Sequence, residues 1–437
     1  MQPNGIVSTW YSVTTKMTLH ILELARVTPA ADSDSLAIPL TFFDIPWLLL
    51  HPIKRVFFYK LTDSTLEHFH SFILPKLKLS LSLALTTYLP LTGRIVWDPT
   101  EPKPNIIVSE NDAVSVTIAE TNADFSLLSG YGQRPVSELL NLVPDLPGSN
   151  DSATTFSLQI TLFPNKGFSI GAALHHAVLD GKTVSMFFRS WSHLCKQLLK
   201  EESVIPSLPK TLTPSLDRSL IKDQTELDKK MIDFVRCLKK DKSLTPVPVL
   251  ELGHDVVLTT LVLTSTDVEK LREQVKSQDQ SLLHLSTFVV AYAYVWTCLV
   301  KARGGSGERL VSFIFAGDFR ERLDPPLPAT YFGNCVFPVG SYYRTAADFE
   351  GDGGFVTAVE ILSGLVRGTV RLLGRFGIYE TDFGWGKPVK SDVVSIRGEV
   401  ISMAERRDGS GGVEIGVCMK KTDMDDVLTL FNRGLQN

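Results

Sequence analysis

The chain has 437 residues, 44% hydrophobic and 21% charged, with a formal net charge of −4. That suits two, at most three, globular domains. Its slight acidity gives no global basic surface for nucleic acid, so any phosphate-bearing ligand must be met by local lysines or arginines.

Residues 1–16 carry one charge, Lys16, and Met17 opens a run that reads like a start, MTLHILELARVTP. The first sixteen residues are expected to be a disordered extension, and they lack the charged-then-apolar pattern of a signal peptide. Residues 18–27 alternate as a strand. Residues 40–50, LTFFDIPWLLL, form an apolar run with Asp44 inside it, read as core packing. Residues 56–60 are a further strand. Residues 64–85 space their apolar side chains as helix, and Pro75 divides the pattern, opening a second helix. Residues 95–97, 106–108 and 114–119 are short strands, and 125–127 and 136–142 belong to a loop and a short helix.

Residues 156–163 and 168–174 read as two strands joined by the hairpin loop Pro164-Asn165-Lys166-Gly167. The second is an unbroken apolar run, as a buried strand requires. A compact turn follows, His175 to Gly181. From Lys182 the period becomes helical, with Val184, Phe187, Phe188, Trp191, Leu194, Cys195 and Leu198 on one face. A histidine between a strand and a helix is well placed for chemistry. Asp180, four residues after His176, either is structural, capping the helix or pairing with an arginine, or shares a face with the imidazole and orients it.

Residues 200–222 are interrupted by Pro206, Pro209 and Pro214 and form the best linker in the chain. Residues 224–240 are a charged helix and 256–264 a strand. A helix over 266–277 is capped by Ser265 or Thr266, and an apolar helix covers 286–300. Residues 310–315 are a strand, 355–366 a helix and 375–380 a strand. The order of elements indicates an α/β fold of mixed sheets in two similar-sized domains. Five scattered cysteines match no metal-ligand spacing, so no metal is assigned. They indicate a reducing compartment, and a cytoplasmic protein is expected. No apolar run is long enough for a membrane span.

Far downstream lies Thr381-Asp382-Phe383-Gly384-Trp385-Gly386-Lys387-Pro388. With H-x-x-x-D at 176–180 and D-F-G-W-G at 382–386, the chain resembles the BAHD family of plant acyl-CoA-dependent acyltransferases. The segments HHAVLDGKT, YFGNC, DFGWGKP and MAERRDGSGGVEIGV are similar to its anthocyanin and phenolic-glucoside malonyltransferase branch. The resemblance spans Met17 to about Gly434. It implies a two-domain, chloramphenicol-acetyltransferase-like fold with a channel between the halves. The halves are expected at 17–200, carrying H-x-x-x-D, and 223–437, carrying D-F-G-W-G, joined by a crossover over 201–222. It also suggests that residues 40–50 lie near the acceptor entrance.

The implied reaction moves a malonyl group from malonyl-CoA to a sugar hydroxyl of a phenolic, flavonoid or anthocyanin glucoside. Hydroxycinnamoyl-CoA is the alternative donor. The acyl-CoA is a co-substrate, no cofactor is permanently bound, and the protein is expected to act as a monomer away from membranes. His176 is the candidate general base, because a neutral imidazole is available at cellular pH. Asp180, Asp382 and Trp385 complete the catalytic candidates. Asp382 would be a second acid/base and Trp385 an N–H donor to the oxyanion, although the family reading makes Asp180 and the D-F-G-W-G segment mainly structural. His175 is expected to point into packing.

Ser286, Thr287 and Arg320 are the candidates for holding coenzyme A, with Lys270, Arg272 and Arg322 as further cations. Lys182 is a weaker candidate for a malonyl carboxylate. Between Cys335 and Asp382 the chain is shorter than the family pattern. A second hypothesis, a folded but catalytically impaired homologue, therefore stands beside the active enzyme.

Overall fold

A computed structural model describes residues 17–31, 34–61, 65–98, 100–200, 206–239, 244, 246, 255–279, 285–369, 377–396 and 400–436. The extension read over 1–16 lies outside these residues, as do 201–205 of the linker and 375–376 of the strand read over 375–380.

The elements that frame the site follow in chain order. They are β1 (Leu19–Val27), β2 (Ile53–Lys60), α1 (Leu74–Thr87), β3 (Val114–Thr121), β4 (Arg134–Pro135), β5 (Phe156–Phe163), β6 (Gly167–Leu174) and α2 (Gly181–Lys200). Then come α3 (Leu227–Lys239), β7 (Val256–Leu263), α4 (Ser265–Gln278), α5 (Thr287–Arg303), β8 (Leu310–Asp318) and β9 (Val336–Thr345). The chain closes with α6 (Gly354–Thr369), β10 (Lys390–Val393), β11 (Ile401–Glu405), β12 (Val413–Lys420) and α7 (Lys421–Gln436).

One sheet runs β1-β3-β5-β6-β2-β10 and a second β11-β12-β7-β4, while β8 pairs with β9. Each half of the chain lends a strand to the other. β10 adds to β2 with Lys390 opposite Phe58, and β4 adds to β7 with Arg134 opposite Leu258.

The hairpin β5–β6 is buried along its whole length, which is why both strands read as continuous apolar runs. β2 alternates. Phe57 and Tyr59 enter the core beneath α1 and α2, while Val56 and Phe58 face Val256, Leu258 and Cys418 of the other half. α1 follows without a break from a helical run that begins at Leu66 and passes through a π turn at Phe69–Ile73, just before Pro75, whose ring and missing N–H disturb the regular ladder there. The indole of Trp191 on α2 donates to Ser80 Oγ at 3.0 Å and to the Leu77 carbonyl at 3.2 Å, locking the two helices together.

The strand exchange carries buried charge. Arg134 grips Asp392 through both carboxylate oxygens, at 2.5 and 3.2 Å, and Lys390 reaches Glu414 at 3.0 Å.

Two local expectations are corrected. α4 is capped by Thr264, one residue before the expected cap, because Thr264 and Asp267 form a reciprocal capping box. Residues Ile378–Glu380 form a 3-10 turn, not a strand, with the Ile378 N–H held by Glu405 at 2.9 Å. Among the described residues no helix is long and apolar enough to cross a membrane. Four cysteines are buried, Cys237 is exposed, and none is disulfide-bonded.

Candidate active site

β6 ends at Leu174 and α2 begins at Gly181, so the intervening turn sits at the end of a buried strand. His175 turns inward. It is buried, its Nδ1 accepts the Ala177 N–H at 3.2 Å, and burial depresses its pKa to about 3. His176 is only partly buried, and its ring lies flat on Trp47, with centroids 4.2 Å apart and planes 7° from parallel. Its Nδ1 is enclosed, whereas Nε2 has no hydrogen bond to a described residue and is not enclosed. Burial holds the imidazole below its ordinary 6.5, so it is neutral at cellular pH and able to accept a proton through Nε2.

The backbone of His176 is held from across the molecule. Asn334 Nδ2 donates to the His176 carbonyl at 2.9 Å and to Asp44 Oδ1 at 3.0 Å, and the Asn334 N–H meets the same oxygen. Asp44 is fully buried and also ties Thr41. It thereby fixes the 3-10 turn Ile45–Leu49, which carries Trp47. Residue types alone concealed these contacts. The visible sign was a carboxylate inside an apolar run, a group that burial penalises unless it is fully bonded.

Asp180 does not orient the imidazole. Its Oδ1 accepts the Thr183 N–H at 3.0 Å, the cap of α2. Its Oδ2 accepts the Cys335 N–H at 3.1 Å and pairs with Arg320 Nη2 at 2.8 Å. Burial alone would raise this carboxyl, but Arg320 and the hydrogen bonds outweigh it and hold it below its usual range. Arg320 is likewise buried, divided between Asp180 and Asp318. Its assignment to coenzyme A is therefore corrected, since its guanidinium faces carboxylates inside the protein. Lys182 lies 3.9 Å from Asp318.

Asp382 and Trp385 are also corrected as catalytic groups, on two independent rulers. Trp385 packs edge-on against Phe168, 6.4 Å between centroids, at the start of β6. At the rise of an extended strand this is roughly 20 Å from Leu174, where the catalytic turn begins. Asp382 binds Lys196 at 2.6 Å, and Lys196 lies late in α2. At helical rise that is roughly 24 Å along the axis from Asp180. Asp382 instead accepts the N–H groups of Gly384 and Gly386, both at positive φ, and so closes the turn. Phe383 is buried edge-on against Trp191 at 4.8 Å and Tyr59 at 5.5 Å. D-F-G-W-G is thus an anchor of the later chain on the earlier core.

A cavity of about 1000 Å³ lies between β8 and β11, whose outer edges pair with no strand among the described residues. Trp47 forms part of its wall, so the cavity reaches the indole on which His176 stacks. Its mouth is apolar, with Leu50, Leu310, Ile314 and Val400 all exposed. Thr287 and Arg272 line it, and Arg272 is the one cation among the described lining residues. Arg272 is fixed by the Leu285 carbonyl at 2.8 Å, Thr287 Oγ1 at 2.9 Å and Glu269 at 2.8 Å. Ser286 is outside the lining and caps α5 by accepting the Val289 N–H at 3.3 Å.

A family model described as the transferase family matches residues 17–357 and 369–431. The chain belongs to this family, the BAHD acyltransferases whose two motifs it carries. Phenolic glucoside malonyltransferase 2 of Arabidopsis thaliana is 61% identical, covering 96% of this chain and 100% of the relative. Agmatine coumaroyltransferase of the same plant is 44% identical, again covering 96% and 100%. The crystal structure of vinorine synthase superposes with a TM-score of 0.67 at 21% identity, over 94% of this chain and 98% of that one. The fold is the two-domain, chloramphenicol-acetyltransferase-like one. The family match breaks between 357 and 369, and the 61% alignment runs 458 positions against a chain of 437. The relative therefore carries residues that this chain lacks.

Proposed function

We propose that this chain transfers a malonyl group from malonyl-CoA to a sugar hydroxyl of a phenolic glucoside, with His176 as general base. The observation that carries the reading is a neutral imidazole, its Nε2 without a hydrogen bond among the described residues, stacked on a wall residue of the main cavity. The 61% identical relative is named for this reaction. Nε2 takes the hydroxyl proton as the oxygen attacks the thioester carbonyl, the C–S bond breaks, and the proton passes to the coenzyme A sulfur. The pantetheine arm lies between the free edges of β8 and β11, where unpaired peptide groups meet its amides. Arg272 and Thr287 supply donors to the acyl-CoA, and the exposed apolar rim receives the aglycone.

The division into 17–200 and 223–437 around a 201–222 crossover belongs to the same reading, crossed by the two exchanged strands. So does action as a cytoplasmic monomer on small molecules, not on nucleic acid or membranes. The 44% identical coumaroyltransferase favours a second reading, in which a hydroxycinnamoyl-CoA is the donor. Purified protein given equimolar malonyl-CoA and coumaroyl-CoA with a phenolic glucoside is expected to yield mainly the malonylated product by mass spectrometry. Predominant coumaroylation would establish the second reading. Coenzyme A binding without either product would mark a folded but impaired homologue, as the shortened segment before Asp382 allows.

The base also fixes a pH dependence. The neutral imidazole is the working form and burial lowers its pKa, so kcat/KM should rise with pH along a limb centred below 6.5 and then level off. A limb centred above 7 would assign the proton transfer to another group.

A further inference from the structure

Two indoles packed on the earlier core are placed by different means. Trp191 donates its N–H to Ser80 and to the Leu77 carbonyl, as a buried indole ordinarily does. The Nε1 of Trp47 is also buried, yet it makes no hydrogen bond to a described residue. Native proteins rarely leave such a donor unmet, so this ring sits where something other than its N–H is served. What its face meets is the imidazole of His176, 4.2 Å between centroids and 7° from parallel.

The indole is the firmer partner of the two. Asp44 accepts the Thr41 N–H at 3.0 Å and hydroxyl at 2.8 Å, and its carbonyl accepts the Trp47 N–H at 3.2 Å. A proline stiffens the same 3-10 turn at its start, and α3 packs against it. The imidazole has fewer holds. Its Nδ1 is enclosed beside the Asn334 side chain and the residue's own backbone. A contact at one ring atom leaves the plane free to tilt about that atom, whereas a flat surface at stacking distance fixes the plane. The charged and titratable neighbours do not take this part. Asp180 is committed to Thr183, Cys335 and Arg320. Asp44, 3.8 Å from Arg218, reaches His176 through Asn334, and His175 is neutral and turned inward.

We propose that Trp47 is a positioning residue of the reaction: its indole face sets the plane of the His176 imidazole, and with it the aim of Nε2, in the place an orienting carboxylate would take. The role rests on His176 being the base. A misplacement of about 1 Å at such a group can cost ~10²-fold in rate. The indole also covers one face of the ring. An indole face attracts an imidazolium, but burial is the larger influence on this histidine and favours the neutral form. Taking the indole away therefore lets the imidazole rise toward its ordinary 6.5.

The test compares Trp47→Phe, which keeps a flat ring, with Trp47→Leu, which fills apolar space without one. Trp47→Leu should lower kcat for malonyl transfer roughly 10- to 100-fold, with the KM for malonyl-CoA changed by less than about threefold. Its acid limb in the pH profile should move up toward 6.5. Trp47→Phe should recover most of kcat and the native limb, whereas packing alone would favour neither variant. A readout free of turnover is the proton NMR signal of the His176 ring, assigned by its loss in His176→Ala. In the native chain it should lie upfield of an ordinary histidine through the ring current of the indole, a result available even if the leucine variant fails to fold. Unshifted His176 signals in the native chain, native kcat in Trp47→Leu, or equal losses in the two variants would overturn the inference and leave His176 as base. Native-like turnover by His176→Ala would remove the base itself, and the inference with it.

Discussion

Asp180→Ala is expected to cost about 3–5 kcal/mol of stability, the usual penalty for removing one partner of a buried ion pair. The cost comes from what remains. Arg320 would keep its charge in the interior with only Asp318 beside it, and the Cys335 and Thr183 N–H groups would lose their acceptor. Asp180→Asn retains the helix cap and should lose less. The pH dependence has a definite sign. A carboxyl held below its unfolded-state value contributes stability above that value, near ~3.9, and loses it as pH falls toward the folded-state value. The native chain should therefore lose this contribution under acid, and Asp180→Asn should show a shallower acid dependence in urea unfolding. Equal stability of native and alanine chains would mean that the pair does not form.

This outcome separates two roles that sequence spacing leaves open. H-x-x-x-D places both residues on one short turn and suits a base with its orienting carboxylate equally well. The structure spends every Asp180 contact on α2, Cys335 and Arg320. Its service to the chemistry is to hold Y-F-G-N-C against the catalytic turn, and through Asn334 the carbonyl of His176.

What was legible in the sequence was local. The β5–β6 hairpin, the switch to helical period at Lys182 and the disturbance of the helix beside Pro75 each depend on neighbours within a few residues. The inward His175 followed from the same turn. What was hidden depends on distant partners. Arg320 reads as an exposed phosphate ligand until Asp180 is brought against it from 140 residues away. Asp44 acquires its meaning from Asn334, and His176 its stacking surface from Trp47. β10 shows no strand pattern because its inner residues are Lys390 and Asp392, charges tolerable only beside Glu414 and Arg134. D-F-G-W-G left a chemical and a structural role open for a related reason. Its residue types suit chemistry, and only the length of β6 shows that Trp385 stands at the wrong end of the strand.

The central claim rests on the proton taken by Nε2. Loss of a positioned general base lowers turnover by ~10²–10⁴-fold. Replacing His176 by alanine removes a partly exposed ring and its stacking on Trp47, but leaves the Asn334 bond, which is made by the backbone. The fold and the binding of coenzyme A should survive. Asp382→Asn serves as the contrast, since it disturbs a turn far from the site and should keep turnover within about threefold of native, less than even a modest general-base contribution. The decisive measurement is kcat for malonyl transfer to a phenolic glucoside by native, His176→Ala and Asp382→Asn chains, with coenzyme A affinity measured alongside. The account predicts a fall of at least ~100-fold for His176→Ala alone, at unchanged coenzyme A affinity. Native-like turnover by His176→Ala would contradict it.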